Sequence, residues 1–168
     1  MNTLAQLNRD SDDQFVAQLS GVYEHSPWVA EAVRKFRPFP DLETLRLAMQ
    51  QAVDAASPQQ HLILIRAHPD LAGKLARAGG LTACSTREQS GLGLDCLSDE
   101  AYQNFSDKNS AYREKFGFPF IICARKSTQE LVLKAFELRL ENSRDAEIGE
   151  ALRQIHDIAR LRIKDLLT

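Results

Sequence analysis

The 168-residue sequence is short of cysteine, with only Cys84, Cys96 and Cys123. The number is odd, and no two are separated by the two-residue gap of zinc ribbons and redox dithiols, so no disulfide framework is expected. Neither sign of charge is in excess: 21 Lys and Arg against 23 Asp and Glu give a formal net charge of −2, with no block of like charges. Nucleic-acid binders and membrane-surface proteins need a basic field to offset phosphate charge, so both partner classes are set aside and a small molecule is expected. No apolar run approaches the roughly 18 residues of a membrane span. Met1 to Asp13 lacks the basic start and apolar stretch of a secretory signal, and Asp165-Leu166-Leu167-Thr168 is not a peroxisomal address, so the cytoplasm is the expected location. Glycine-rich phosphate loops, nucleophile elbows and a His-Glu-x-x-His pattern are also missing. The four histidines, His25, His61, His68 and His156, are dispersed, and no metal site is expected.

What is present is helical periodicity. With 43% hydrophobic residues, a chain of this length buries roughly 70% of its unfolded surface, enough for one core, and residues 1–168 read as a single domain. Ser11 and Gln14 make a capping box ahead of Phe15, Leu19, Val22 and Tyr23. Ser26-Pro27 predicts a helix carrying Trp28, Ala32, Val33 and Phe36 inward, stopped by Pro38 and Pro40. Asp41 caps the stripe Leu42, Leu45, Ala48, Met49, Ala52, Val53 and Ala56. Ser57-Pro58 makes Gln59 to Arg66 a helix, although Leu62-Ile63-Leu64-Ile65 alone also suits a buried strand. Pro69 breaks the chain at His68, and a short helix is expected from Asp70 to Arg77. Leu81 to Leu97 reads as a loop with one or two helical turns at most. A long helix from Asp99 carries Tyr102, Phe105, Tyr112 and Phe116 and ends at Gly117. Phe118-Pro119-Phe120-Ile121-Ile122-Cys123 is apolar but interrupted by proline, which predicts an extended, buried connection. Ser127 and Glu130 suggest a capping box for a helix to Glu141, with Leu131, Ala135 and Leu138 inward. The last helix spans Arg144 to Leu166. The class is all-α: a bundle of about seven to eight helices with one extended Phe-Pro-Phe connection.

Four places can carry chemistry. His68 is pinned at a rigid break, where an imidazole either faces a cavity or caps the preceding helix. Glu88 is a catalytic carboxylate or the partner of Ser85 in a capping box. Arg162 falls in the middle of the apolar face of the last helix, formed by Ile148, Ala151, Leu152, Ile155, Ile158, Ala159 and Leu166, while Arg160, Arg153, His156 and Lys164 take the polar side. An inward guanidinium needs a carboxylate, carbonyls or a ligand, so a structural ion pair and a ligand contact stand side by side. Glu24 and His25 read as helix-end polar residues or a pocket rim, and Cys84 as a small filler.

These residues lie in segments that carry a resemblance. Phe15 with Gly21-Val22-Tyr23-Glu24-His25-Ser26-Pro27-Trp28-Val29-Ala30, Ala67-His68-Pro69-Asp70-Leu71, Ser85-Thr86-Arg87-Glu88-Gln89, Leu94-Asp95, Lys115-Phe116-Gly117-Phe118-Pro119-Phe120-Ile121 and Ile158-Ala159-Arg160-Leu161-Arg162 together resemble the 2-oxo-4-hydroxy-4-carboxy-5-ureidoimidazoline (OHCU) decarboxylases of urate breakdown, in order and over nearly the whole chain. The resemblance implies an all-helical, cofactor-free enzyme, commonly a homodimer. It implies acid-base roles for His68 and Glu88, a site role for Arg162, and substrate contact at Pro69, Ser85, Phe118, Pro119, Phe120 and Ile121. Ser90-Gly91-Leu92-Gly93 departs from the family's alanine-glycine variants.

The implied reaction suits these groups. Carbon dioxide leaves a carbon next to a C=N bond that accepts the electron pair, so no pyridoxal or metal sink is needed. A titratable imidazole is then useful for moving the proton, and a carboxylate for orienting it. Two other readings are a ureide isomerase or hydrolase, and a non-catalytic helical ligand-binding or regulatory module.

Overall fold

Helices begin where a side-chain oxygen can reach a free amide, and most of the starts read from sequence are of this kind. The computed structural model describes residues 3–73, 79–94 and 96–167. Thr3 caps α1 (Leu4–Leu7). The Ser11–Gln14 capping box opens α2 (Asp12–Leu19), and α3 (Trp28–Val33) runs into a 3₁₀ turn at Arg34–Phe36. Asp41 caps α4 (Leu42–Asp54). Ser57, with Gln60 and Pro58, starts α5 (Pro58–Arg66), which is helical despite its aliphatic run. Then come α6 (Ala83–Ser90), α7 (Asp99–Phe116), closed by Gly117 at φ 78°, α8 (Gln129–Leu140) and α9 (Arg144–Leu166). Nine α-helices and no strand occur among the described residues, so the all-α class is what is found.

The chain divides into two compact units, Met1–Ala67 with His156–Thr168, and His68–Ile155; α9 contributes residues to both. In the first, α3 packs on α2 and α4, burying Phe15, Leu19, Val29, Val33, Leu45, Met49 and Val53. Phe15 stacks on Phe39 at 6.3 Å between ring centres, and the Asn8 amide holds the Phe39 backbone through two bonds of 2.8 and 2.9 Å. In the second, α7 packs on α8 around an aromatic core. Tyr112 meets Phe120 edge-on at 5.2 Å, and Phe120 stacks on Phe136 at 3.7 Å. Phe118 to Cys123 is the extended connection expected, with Phe118, Phe120, Ile121 and Cys123 buried.

Several local expectations are corrected. The inner face of α3 is Val29, Ala30 and Val33, while Ala32 is exposed and Phe36 is 58% exposed; the 3₁₀ turn advances about 120° per residue and swings Phe36 away. The Ser26 hydroxyl does not cap α3 but donates to the Glu24 carbonyl at 3.0 Å. Asp70–Gly73 is not helical, and the rest of the expected Asp70 to Arg77 helix, from Lys74 on, lies outside the described residues. Thr128, not Ser127, caps α8, because the Ser127 amide closes the preceding 3₁₀ turn on Ala124. Its inner face is Val132, Phe136 and Arg139, and Leu131 and Leu138 are exposed. Apolar residues surround most of α8, so periodicity marks no single stripe, and the buried Arg139 is set by an ion pair with Glu147 at 2.9 Å. His156, assigned to the polar side of α9, is mostly covered: its Nδ1 meets the Tyr23 hydroxyl at 2.9 Å and its Nε2 the Asp54 carboxylate at 3.1 Å.

Candidate active site

His68 follows α5 at the break that Pro69 enforces, and it is 6% exposed. The turn it opens is held from three directions within the second unit. Gln89 donates to the Asp70 carbonyl at 3.2 Å and accepts from the Ala72 amide at 2.9 Å. Asn109 of α7 donates to the Leu71 carbonyl at 2.8 Å. The Arg113 guanidinium donates to the Asp70 carboxylate at 2.8 Å. Ala72 sits at φ 50°, a left-handed conformation that costs an L-residue about 1–2 kcal/mol, and the Gln89 bond to its amide holds it there.

Gln89 lies beside Glu88 on α6, so the helix carrying the candidate carboxylate also grips the histidine turn. Thr82 caps α6 by accepting from the Ser85 amide at 3.2 Å. Ser85 is therefore the third residue of the helix, 4% exposed, and Glu88 lies one turn further on along the same face. The capping-box explanation of Ser85 and Glu88 is removed: both are inside the helix, half-buried in the case of Glu88.

The connection from Phe118 to Cys123 is fixed by side chains instead of a sheet. Arg139 donates to the Ile121 carbonyl at 2.6 Å, its guanidinium lies 4.3 Å from the centre of the Phe120 ring, and Gln154 accepts from the Cys123 amide at 2.8 Å. The Phe120 and Ile121 amides donate to no other described residue. Pro119 is buried with its neighbours. Arg139 is itself bound by Glu147, which is 0% exposed and also accepts from Tyr112 and from Asn142 at 2.7 Å. Desolvation and the bond to Glu147 push the Tyr112 hydroxyl well above the usual phenol range, so it stays a donor.

Arg162, in the first unit, is 6% exposed. Its Nη1 donates to the Glu24 carboxylate at 2.6 Å and to the Gly21 carbonyl at 3.1 Å, and Glu24 is 2% exposed. The ion pair anticipated as one of two readings is thus present. In the same unit, burial lowers the pKa of His156, partly opposed by Asp54. With Nε2–H donating to the Asp54 carboxylate, bare Nδ1 accepts from the Tyr23 hydroxyl.

Sequence reasoning missed Gln89, Asn109 and Arg139, all polar residues on helix faces that periodicity assigns to apolar side chains or to solvent. Glu24, in the sequence a helix-end residue or pocket rim, is the partner of Arg162; the signal that points to it is the need of an inward arginine for a carboxylate.

The family model described as OHCU decarboxylase matches residues 8–164. A protein of Haloferax volcanii named 2-oxo-4-hydroxy-4-carboxy-5-ureidoimidazoline decarboxylase is 42% identical over 163 residues, 97% of this chain and 95% of that one. A crystal structure of an OHCU decarboxylase in the presence of (S)-allantoin superposes with a TM-score of 0.71 at 25% identity, covering 94% of this chain and 98% of that one. A crystal structure of (S)-allantoin synthase gives 0.80 at 31% identity, covering all of this chain and 54% of the other. A match that is nearly end to end in sequence, on an all-helical backbone shared with solved relatives, leaves one conclusion: this chain belongs to the OHCU decarboxylase family.

Proposed function

We propose that residues 1–168 form a cofactor-independent carboxy-lyase that converts 2-oxo-4-hydroxy-4-carboxy-5-ureidoimidazoline to (S)-allantoin and carbon dioxide in urate breakdown, working in the cytoplasm as a homodimer. The single observation that carries the reading, beyond family membership, is the histidine turn: a buried imidazole whose loop is hydrogen-bonded by Gln89 to the helix bearing Glu88.

The chemistry follows in two stages. The bond from the hydroxyl-bearing carbon to the carboxylate breaks, its electrons form a C=C bond to the ureido-bearing carbon, and the displaced C=N pair goes to the ring nitrogen, which takes a proton. The resulting enol then loses its hydroxyl proton as the carbonyl forms, and the ureido-bearing carbon gains a proton from one face. His68 is assigned the proton transfer, Glu88 the orientation of the imidazole or of the ureido N–H groups, and Arg162 an oxygen that gains negative charge. Pro69, Ser85, Phe118, Pro119, Phe120 and Ile121 are assigned to substrate contact. The amides of Phe120 and Ile121, donating to no other described residue, suit the ring carbonyl.

Because the substrate decays unaided to racemic allantoin in this chemistry, the handedness of the product is the informative readout. With fresh substrate, circular dichroism should show (S)-allantoin from the wild type and racemic product at the background rate from His68→Ala and Glu88→Gln. Labelled carbon dioxide must appear from carboxyl-labelled substrate; its retention in the product would indicate an isomerase or hydrolase instead.

A further inference from the structure

A buried ion pair adds little to stability compared with apolar side chains of the same volume, so the geometry of Glu24 and Arg162 calls for another reason. Two acceptors of Arg162, the Glu24 carboxylate at 2.6 Å and the Gly21 carbonyl at 3.1 Å, fall on one nitrogen, Nη1. The guanidinium is planar and rigid, so two bonds on Nη1 fix the direction of the whole fork. The segment supplying them is itself braced. The Ser26 hydroxyl and amide close back on Glu24 and Tyr23, and His25 takes the left-handed φ of 47° that a tight reversal demands. The Tyr23 hydroxyl is bonded to His156, six residues before Arg162 on α9. The turn from Gly21 to Ser26 is therefore tied to α9 at two points, through Tyr23 to His156 and through Gly21 and Glu24 to Arg162.

We infer that Glu24 is the positioning residue of Arg162, holding the guanidinium at a fixed angle so that it meets substrate oxygen as an oriented hydrogen-bond donor; this rests on the proposed role of Arg162. A guanidinium whose charge is already balanced by a carboxylate contributes through direction more than through net charge. Glu24 itself touches no substrate in this reading. Lysine, a compact charge without a fork, cannot substitute for Arg162.

The test is a cycle of Glu24→Gln, Arg162→Ala and the double variant, read as kcat, KM and product handedness on fresh substrate, alongside thermal unfolding. Glu24→Gln replaces the ion pair on Nη1 by a weaker bond to a neutral oxygen, so the fork is held less firmly; the variant should fold and lose about 10- to 100-fold in kcat with a smaller change in KM. The double variant should be no slower than Arg162→Ala, because the two residues act as one. Millimolar guanidinium chloride should restore part of the rate of Arg162→Ala, where the Glu24 and Gly21 cradle remains, but not that of the double variant. Arg162→Lys should stay impaired. Should Glu24→Gln fail to fold, Glu24→Asp, which keeps the charge and withdraws it by one methylene, takes its place in the same comparison.

Four outcomes overturn the inference, and they separate its three layers. Wild-type kcat in a folded Glu24→Gln, with Arg162→Ala impaired, removes the positioning role alone, as do losses that multiply in the double variant. Wild-type activity in Arg162→Ala removes the role of Arg162 and this inference with it. A wild-type chain that yields only racemic product removes the decarboxylase reading beneath both.

Discussion

Replacing Arg139 by methionine should be among the most damaging single changes in the second unit. Arg139 is 7% exposed and Glu147 is 0% exposed, with a guanidinium-to-carboxylate distance of 2.9 Å. Methionine fills most of the volume but leaves the carboxylate stranded, and breaking a buried pair in this way costs about 3–5 kcal/mol. Glu147 keeps two neutral donors, Tyr112 and Asn142, which places the expected loss near the low end, about 3 kcal/mol. For a chain of this size that corresponds to a fall in Tm of about 6–12 °C. The Ile121 carbonyl also loses its donor, so the Phe118 to Cys123 segment should loosen and KM for the substrate should rise. Urea unfolding followed by circular dichroism at constant m-value gives the stability term, and initial rates give the other. Arg139→Met/Glu147→Leu should recover much of the stability, because no charge is then left unpaired. A single variant within about 0.5 kcal/mol of wild type, the size of an ordinary surface change, would refute the reasoning.

The remaining expectations are smaller. Below its ordinary pKa of 6.5 the unfolded chain protonates His156, whereas burial keeps the folded imidazole neutral. Stability should therefore be full above that pH and fall as pH drops through the lower folded value, more steeply in wild type than in His156→Gln, as urea midpoints between about pH 7 and pH 5 would reveal. Thr82→Ala removes the cap of α6 and should cost about 1 kcal/mol; because Ser85 and Glu88 lie on that helix, the enantiomeric purity of the product should decline too. Gln89→Leu deprives the Asp70 carbonyl and the Ala72 amide of their partners and should lower kcat beyond what its effect on Tm explains, since His68 opens that turn. Gly117→Ala forces an L-residue to φ 78° and should destabilise by about 1–2 kcal/mol with little change in KM.

The sequence by itself determined the helical class and most helix starts, because a cap is a local event. Ser11, Asp41 and Ser57 each reach an amide three residues away, and Gly117 ends α7 by a backbone conformation that its own lack of a side chain permits. The break at His68 was equally legible, since Pro69 acts on its immediate neighbour. Arg162 could be seen to point inward because α9 is long and its apolar stripe unambiguous. Tertiary structure decided whatever depended on partners distant in sequence. Which of Ser127 and Thr128 caps α8 turned on the preceding 3₁₀ turn. The inner face of α8 depended on Glu147 waiting for Arg139, and the fate of Arg162 on a carboxylate 138 residues away in the chain. Periodicity records which face of a helix is apolar, but the pairing of buried charges is a property of two segments at once, and no single stretch of sequence contains it.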